Sequence, residues 1–197
     1  MADLEAGLAA IRRSATDRGA VEMIVRRPSV DEREVLAVGE LSAYDGLVGD
    51  DWRRRAGVGT RDEGPEFARQ ITIMNARAIA LFAVDRARWP LAGDQLYVDL
   101  DLSLDNLPPG SRLQINGVVV EISPEPHTGC GKFAARFGKD ALRLVNSPEG
   151  RALRLRGLNA RVLEPGTVRV GETVSKRSGQ SVRNGVPPAG IEPTRRL

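Results

Sequence analysis

One segment of this 197-residue chain gathers reactive side chains at close spacing: Pro126-His127-Thr128-Gly129-Cys130-Gly131-Lys132-Phe133. It holds the only histidine and the only cysteine of the sequence. A thiol between two glycines sits on exposed backbone, unlike the usual buried cysteine. Residues 132–137 predict a short helix, with Phe133 and Phe137 on one face and Gly138 as its stop. The sulfur then lies at a helix N-terminus, where free amide N–H groups favour a thiolate. Lys132, Arg136 and His127 add to this, so the thiol is expected to titrate below the free value of ~8.5. The segment suits a nucleophilic or metal-ligating sulfur, with Cys130 and His127 as the candidate catalytic residues. The competing reading is a small hydrophobe beside a loop histidine. Gly131-Lys132 is not a phosphate loop: that motif needs glycine at 126 and Ser or Thr at 133, and Pro126 and Phe133 stand there.

Composition removes several other chemistries. One cysteine makes no internal disulfide, and one histidine with it cannot fill a structural zinc site. No G-x-S-x-G elbow accompanies His127. The net charge of +3 is mild for a dedicated nucleic-acid binder. No apolar run approaches ~18 residues, and the N-terminus does not read as a signal peptide, so the expected location is cytoplasmic.

The elements that must position Cys130 read as mostly β with short helices. Residues 3–13 predict a helix with Leu4, Leu8 and Ile11 on one face. Val21 to Val25 alternate as a strand before Pro28, residues 31–41 fit helix or strand, and residues 51–64 read as a long Arg-rich loop. A strand at 70–74, a helix at 76–87 stopped by Trp89-Pro90, and strands from 95 onward follow. Asn116-Gly117 between two alternating runs is the strongest short hairpin signal. A helix at 140–146 before Ser147-Pro148-Glu149-Gly150, a strand near 159–163, a turn at Pro165-Gly166, and strands near 168–170 and 174 close the pattern. Together these predict a β-barrel, with residues 1–19 as an N-terminal helix, 20–176 as the barrel domain and 177–197 as a disordered tail.

An ordered series of motifs carries a resemblance. It comprises Gly46-Leu47-Val48-Gly49-Asp50, Arg69-Gln70-Ile71-Thr72-Ile73-Met74-Asn75 and Gly93-Asp94-Gln95-Leu96. It continues through Leu107-Pro108-Pro109-Gly110, the run from Ile122 to Cys130, and Gly157-Leu158-Asn159-Ala160-Arg161. Over residues 20–176 the chain resembles the MOSC domain family, named for the C-terminal domain of molybdenum cofactor sulfurase. The resemblance implies a MOSC-type β-barrel whose cysteine, Cys130 here, carries sulfur or ligates the molybdenum of a molybdopterin-type cofactor. Some members of the family reduce N-hydroxylated compounds, and others receive sulfur from a pyridoxal-phosphate desulfurase. Pyridoxal phosphate itself is not expected on this chain. Gly129 replaces the proline many relatives carry, and the His-Gly-Gly stretch often found before the segment at 69–75 is missing.

A phosphate-bearing cofactor needs cations. Lys132, Arg136, Arg154 and Arg156 are the candidates, with Arg151, Arg161 and Arg53 to Arg55 as further sources. Asn75 and Asn159 are implied as hydrogen-bond partners by the resemblance alone. Three functions follow: a molybdenum-dependent oxidoreductase served by an electron-donor protein, a sulfur carrier served by a sulfur- or cofactor-donor protein, or a non-enzymatic anion or nucleic-acid binder. The third lacks aromatic stacking platforms near the arginines.

Overall fold

The computed structural model describes residues 2–59 and 63–177, with side chains from residue 7. Eleven strands and six α-helices appear among them. The strands are β1 (Arg18–Arg26), β2 (Glu34–Leu36), β3 (Val38–Ser42), β4 (Gly46–Leu47), β5 (Ile71–Asn75) and β6 (Leu96–Val98), followed by β7 (Arg112–Ile115), β8 (Val118–Ile122), β9 (Leu158–Glu164), β10 (Gly166–Arg169) and β11 (Thr173–Arg177). The helices are α1 (Ala2–Arg12), α2 (Trp52–Ala56), α3 (Ala76–Ala83), α4 (Gly131–Phe137), α5 (Lys139–Asn146) and α6 (Pro148–Ala152).

Seven strands close a barrel in the order β11-β7-β8-β9-β5-β6-β1, sealed where Arg18 to Ala20 of β1 pair with Thr173 to Ser175 of β11. β2 extends β1, and β10, β3 and β4 form a second, three-stranded sheet. All pairs are antiparallel except β5 with β6, which need the crossover that α3 and the 3-10 helix at Arg86–Ala92 supply. The expected hairpin is present: Ile115 faces Val118 across a two-residue turn, with Asn116 at φ +54, a conformation asparagine tolerates.

Alternation along the strands makes two cores. Ile24, Ile71, Ile73, Leu96, Val98, Val120 and Leu158 fill the barrel. Their neighbours Met23, Val25, Met74 and Tyr97 point outward, where Leu8, Ile11, Ile79, Phe82, Phe133 and Leu144 of the helices cover them. β1, β5 and β6 are therefore apolar on both faces.

Local departures from the expectations have local causes. Residues 31–41 resolve into β2 and β3. Part of the long loop is helical: α2 ends at Gly57 in the left-handed conformation and buries Trp52 edge-on against Phe67. Ser147-Pro148-Glu149-Gly150 starts α6, where Ser147 Oγ accepts from Gly150 N at 3.0 Å. α3 stops at Ala83, four residues before the expected end, because Val84 turns the chain. Its φ is +62 and ψ −59, Asp85 N–H donates to Ala83 O at 2.6 Å, and the side chain is 88% exposed. Trp89 and Pro90 lie inside the 3-10 helix rather than ending a longer α-helix. The side chain of Leu4 and the expected tail from Ser178 fall outside the described residues.

Candidate functional site

Cys130 is free, exposed and placed immediately before the first turn of α4. The loop that carries it is fixed at three points. Ser123 N–H donates to Asn159 O at 2.9 Å, and Asn159 Nδ2 returns a bond to Glu125 O at 3.1 Å. Arg69 holds the Glu125 carboxylate at 2.6 Å. Asn146, at the end of α5, grips both sides of the Gly129 backbone: Oδ1 accepts from Gly129 N at 3.0 Å, and Nδ2 donates to Gly129 O at 3.1 Å. This clamp accounts for glycine at 129. Proline has no N–H to give, and a Cβ here would lie 2.7 Å from Val145 Cγ2 and 2.8 Å from Leu142 Cδ1.

The Cys130 thiol is held below its ordinary range, chiefly by the amide of Phe133. Partial burial opposes this, and the Lys132 amide and the charges of Arg156 and Arg136 add to it. The sequence expectation of a depressed thiol therefore rests on α4 amides and these two arginines, whereas Lys132 acts through its backbone.

The sulfur opens on a cleft of about 1020 Å³. Of the residues singled out by sequence, Cys130, His127, Lys132, Arg136, Arg156, Asn159 and Arg55 line it. Asn75 and Arg154 do not. Asn75 is buried as the N-cap of α3, accepting from Arg77 N at 2.7 Å and Ala78 N at 3.1 Å, and it donates to Ser14 Oγ and Leu100 O. Arg154, at φ +47, bonds Leu107 O at 2.6 Å. Arg161 pairs with Glu121 on the barrel surface, and Arg53 stacks on Tyr44.

Sequence reasoning missed Arg27, Arg33 and Asp94. Arg27 is buried and grips Asp50 with Nε and Nη2, each at 2.8 Å. Its Nη1 reaches Gly93 O at 2.7 Å. Arg33 is pushed below its ordinary value by burial and by the crowding of Arg136, Arg27 and Arg55. Arg156 lies under the site, 5.2 Å over the Phe133 ring, with Nη1 on Asp94 at 2.6 Å and Nη2 on Ala92 O at 3.0 Å. It can reach the cleft because Gly157, at φ +97, lets the chain enter β9 where a Cβ would strike Ile73 O at 2.4 Å. The signal for Asp94 was an acid abutting an apolar strand, which must find a cation. His127 is held well below its ordinary value by burial, then by Arg156 and Arg27, so its imidazole is neutral.

The cleft is thus cationic: Arg33 Nε and Arg156 Nε are buried without acceptors among the described residues. Among the described residues no three of His, Cys, Asp and Glu converge to hold a bare metal ion.

The closed barrel belongs to a known class. The family model described as MOSC domain matches residues 50–175, and the chain belongs to this family. Solved structures share the fold. The YuaD protein of Bacillus subtilis is 21% identical, covering 83% of this chain and 97% of its own, with a TM-score of 0.58. YiiM of Geobacillus stearothermophilus is 14% identical over 82% of this chain and 75% of its own, with a TM-score of 0.56. YiiM of Escherichia coli is 18% identical over 82% and 70%, with a TM-score of 0.53. No curated protein matches the chain in sequence. No helix among the described residues is long and apolar enough to cross a membrane.

Proposed function

We propose that this chain binds a molybdopterin-type cofactor in the cationic cleft, with Cys130 ligating its molybdenum. The reaction is then reduction of N-hydroxylated or similar small compounds, with electrons from a donor protein. One observation carries the reading: a single exposed, thiolate-favoured sulfur shares its cleft with buried guanidinium N–H groups that have no acceptor among the described residues. These residues fit a group that is anionic at one end and binds a thiolate at the other. When bound, the group supplies a metal centre able to pass electrons to a substrate. Arg33, Arg136 and Lys132 would hold its phosphate. Asn159 keeps the Cys130 loop on β9, and the Asn146 clamp holds the sulfur at the first turn of α4.

The exposure of Cys130 also favours a second reading, a sulfur carrier. The Cys130 thiolate attacks the outer sulfur of a donor persulfide, the donor S–S bond breaks, its electron pair leaves with the donor as a thiolate, and the persulfide proton stays on the transferred sulfur. No net oxidation occurs. Elemental analysis of protein from a host that makes the cofactor separates the two. About one molybdenum per chain, lost in Cys130→Ser, supports the first reading. Metal-free protein that gains one cyanide-labile sulfur from a persulfide donor supports the second, and neither cargo refutes both.

A further inference from the structure

Asp94 and His127 bury two polar atoms face to face. The Asp94 side chain is fully buried, and its Oδ2 accepts from Arg156 Nη1 at 2.6 Å. Its Oδ1 lies 3.4 Å from His127 Nδ1. Neither of these facing atoms has a hydrogen-bond partner among the described residues. No water fits between atoms that close, and buried polar atoms are almost always paired. A proton on one of the two is what satisfies both, after a small tilt of the ring shortens the contact to an ordinary length of about 2.9 Å.

Two placements of that proton are open. Burial pushes the Asp94 carboxyl up, and a carboxylic acid there would donate to Nδ1, but it would strip the buried Arg156 of its counter-charge, and Arg156 and Arg27 both oppose it. A neutral imidazole protonated on Nδ1 satisfies both atoms and keeps the ion pair. We infer that Asp94 fixes His127 as the Nδ1–H tautomer, so that the bare Nε2 is presented to the cleft as a hydrogen-bond acceptor. Asp94 is thus a positioning residue that acts through His127. Burial, Arg156 and Arg27 keep the ring neutral, and neutrality is what leaves one nitrogen bare. The ligand class that matches carries an N–H or O–H donor against His127 and its anionic part against Arg33 and Arg136. This assignment goes beyond the molybdenum and sulfur readings and holds under either.

The chain has one histidine, so the intact protein labelled with nitrogen-15 histidine gives one pair of ring signals free of overlap. Near neutral pH, Nδ1 is expected at the protonated, pyrrole-type position and Nε2 at the bare, pyridine-type position. In Asp94→Asn the new amide donates where a carboxylate accepted, and the proton moves to Nε2. A wild-type ring protonated on Nε2, or on both nitrogens, overturns the inference. So does a folded Asp94→Asn protein with the wild-type pattern. The wild-type spectrum decides alone if that variant does not fold.

Discussion

Asn146 is the residue whose loss should reveal how the Cys130 loop is held. Asn146→Ala removes both bonds to Gly129, at 3.0 and 3.1 Å. Each intramolecular hydrogen bond is worth about 0.5–1.5 kcal/mol net. Gly129 is only half-buried, so water recovers part of this, and the expected loss is about 1–2 kcal/mol. For a chain of this size that lowers the melting temperature by roughly 2–8 °C. The thiol reports separately. With Gly129 free, Cys130 drifts from the Phe133 amide, the largest cause of its depression, and its alkylation-against-pH curve moves up toward ~8.5. Asn146→Asp keeps the acceptor for Gly129 N–H but replaces the donor with a negative charge, which shifts the curve further in the same direction. An Asn146→Ala protein with unchanged melting and an unmoved thiol curve would refute the clamp.

Three further outcomes follow from the same structure. Val84→Gly should raise the melting temperature by a few degrees. A β-branched residue at φ +62 costs about 1–3 kcal/mol, the exposed side chain has little packing to lose, and glycine returns about 0.5–1 kcal/mol through the unfolded chain; a lower melting point contradicts this. His127 has a folded value well below its unfolded ~6.5, so the unfolded chain binds a proton first; its stabilising contribution is complete above 6.5 and lost as pH falls toward the folded value, by at most ~1.4 kcal/mol per unit. Urea unfolding at pH 7 and 5.5 should therefore show a steeper loss in wild type than in His127→Gln, and parallel losses would count against it. Arg27→Met leaves the fully buried Asp50 carboxylate without its fork and should destabilise the fold by about 3–5 kcal/mol in denaturant melts; a loss below ~1 kcal/mol would exclude a structural role for the pair.

What the sequence disclosed and what it hid divide along sequence distance. The 116–117 hairpin, α4 and the exposed thiol are written within a few residues each, in alternation, a glycine stop and two flanking glycines. α2 was also locally signalled, by Asp51 ahead of Trp52-Arg53-Arg54-Arg55 and by Gly57 after it, but its polar composition read as loop. The N-cap role of Asn75 was visible too, as asparagine at the end of a β-run and the start of an alanine-rich one. The ion pairs behind the cleft were not legible. Arg27 meets Asp50 across 23 positions and Arg156 meets Asp94 across 62, and no periodicity encodes a partner that far away. The same limit explains why Arg154 and Arg156 were indistinguishable as candidates: a φ of +47 and a glycine at 157 send one to the Leu107 carbonyl and the other to the cleft.

The seam between β1 and β11 gives the barrel a particular folding order. Residues 18–20 must find residues 173–175, a loop that spans nearly the whole described chain, whereas β7 and β8 meet across two residues. Closure entropy grows only slowly with loop length, but a contact so distant forms late because the intervening strands must already be in register. The hairpin is therefore the early event and the seam the last. Until it shuts, the apolar interior is open along one edge, and β1 and β11 each show an unpaired strand edge there. Substitutions at the seam should chiefly speed unfolding and leave refolding rates nearly intact, while substitutions in the hairpin slow refolding.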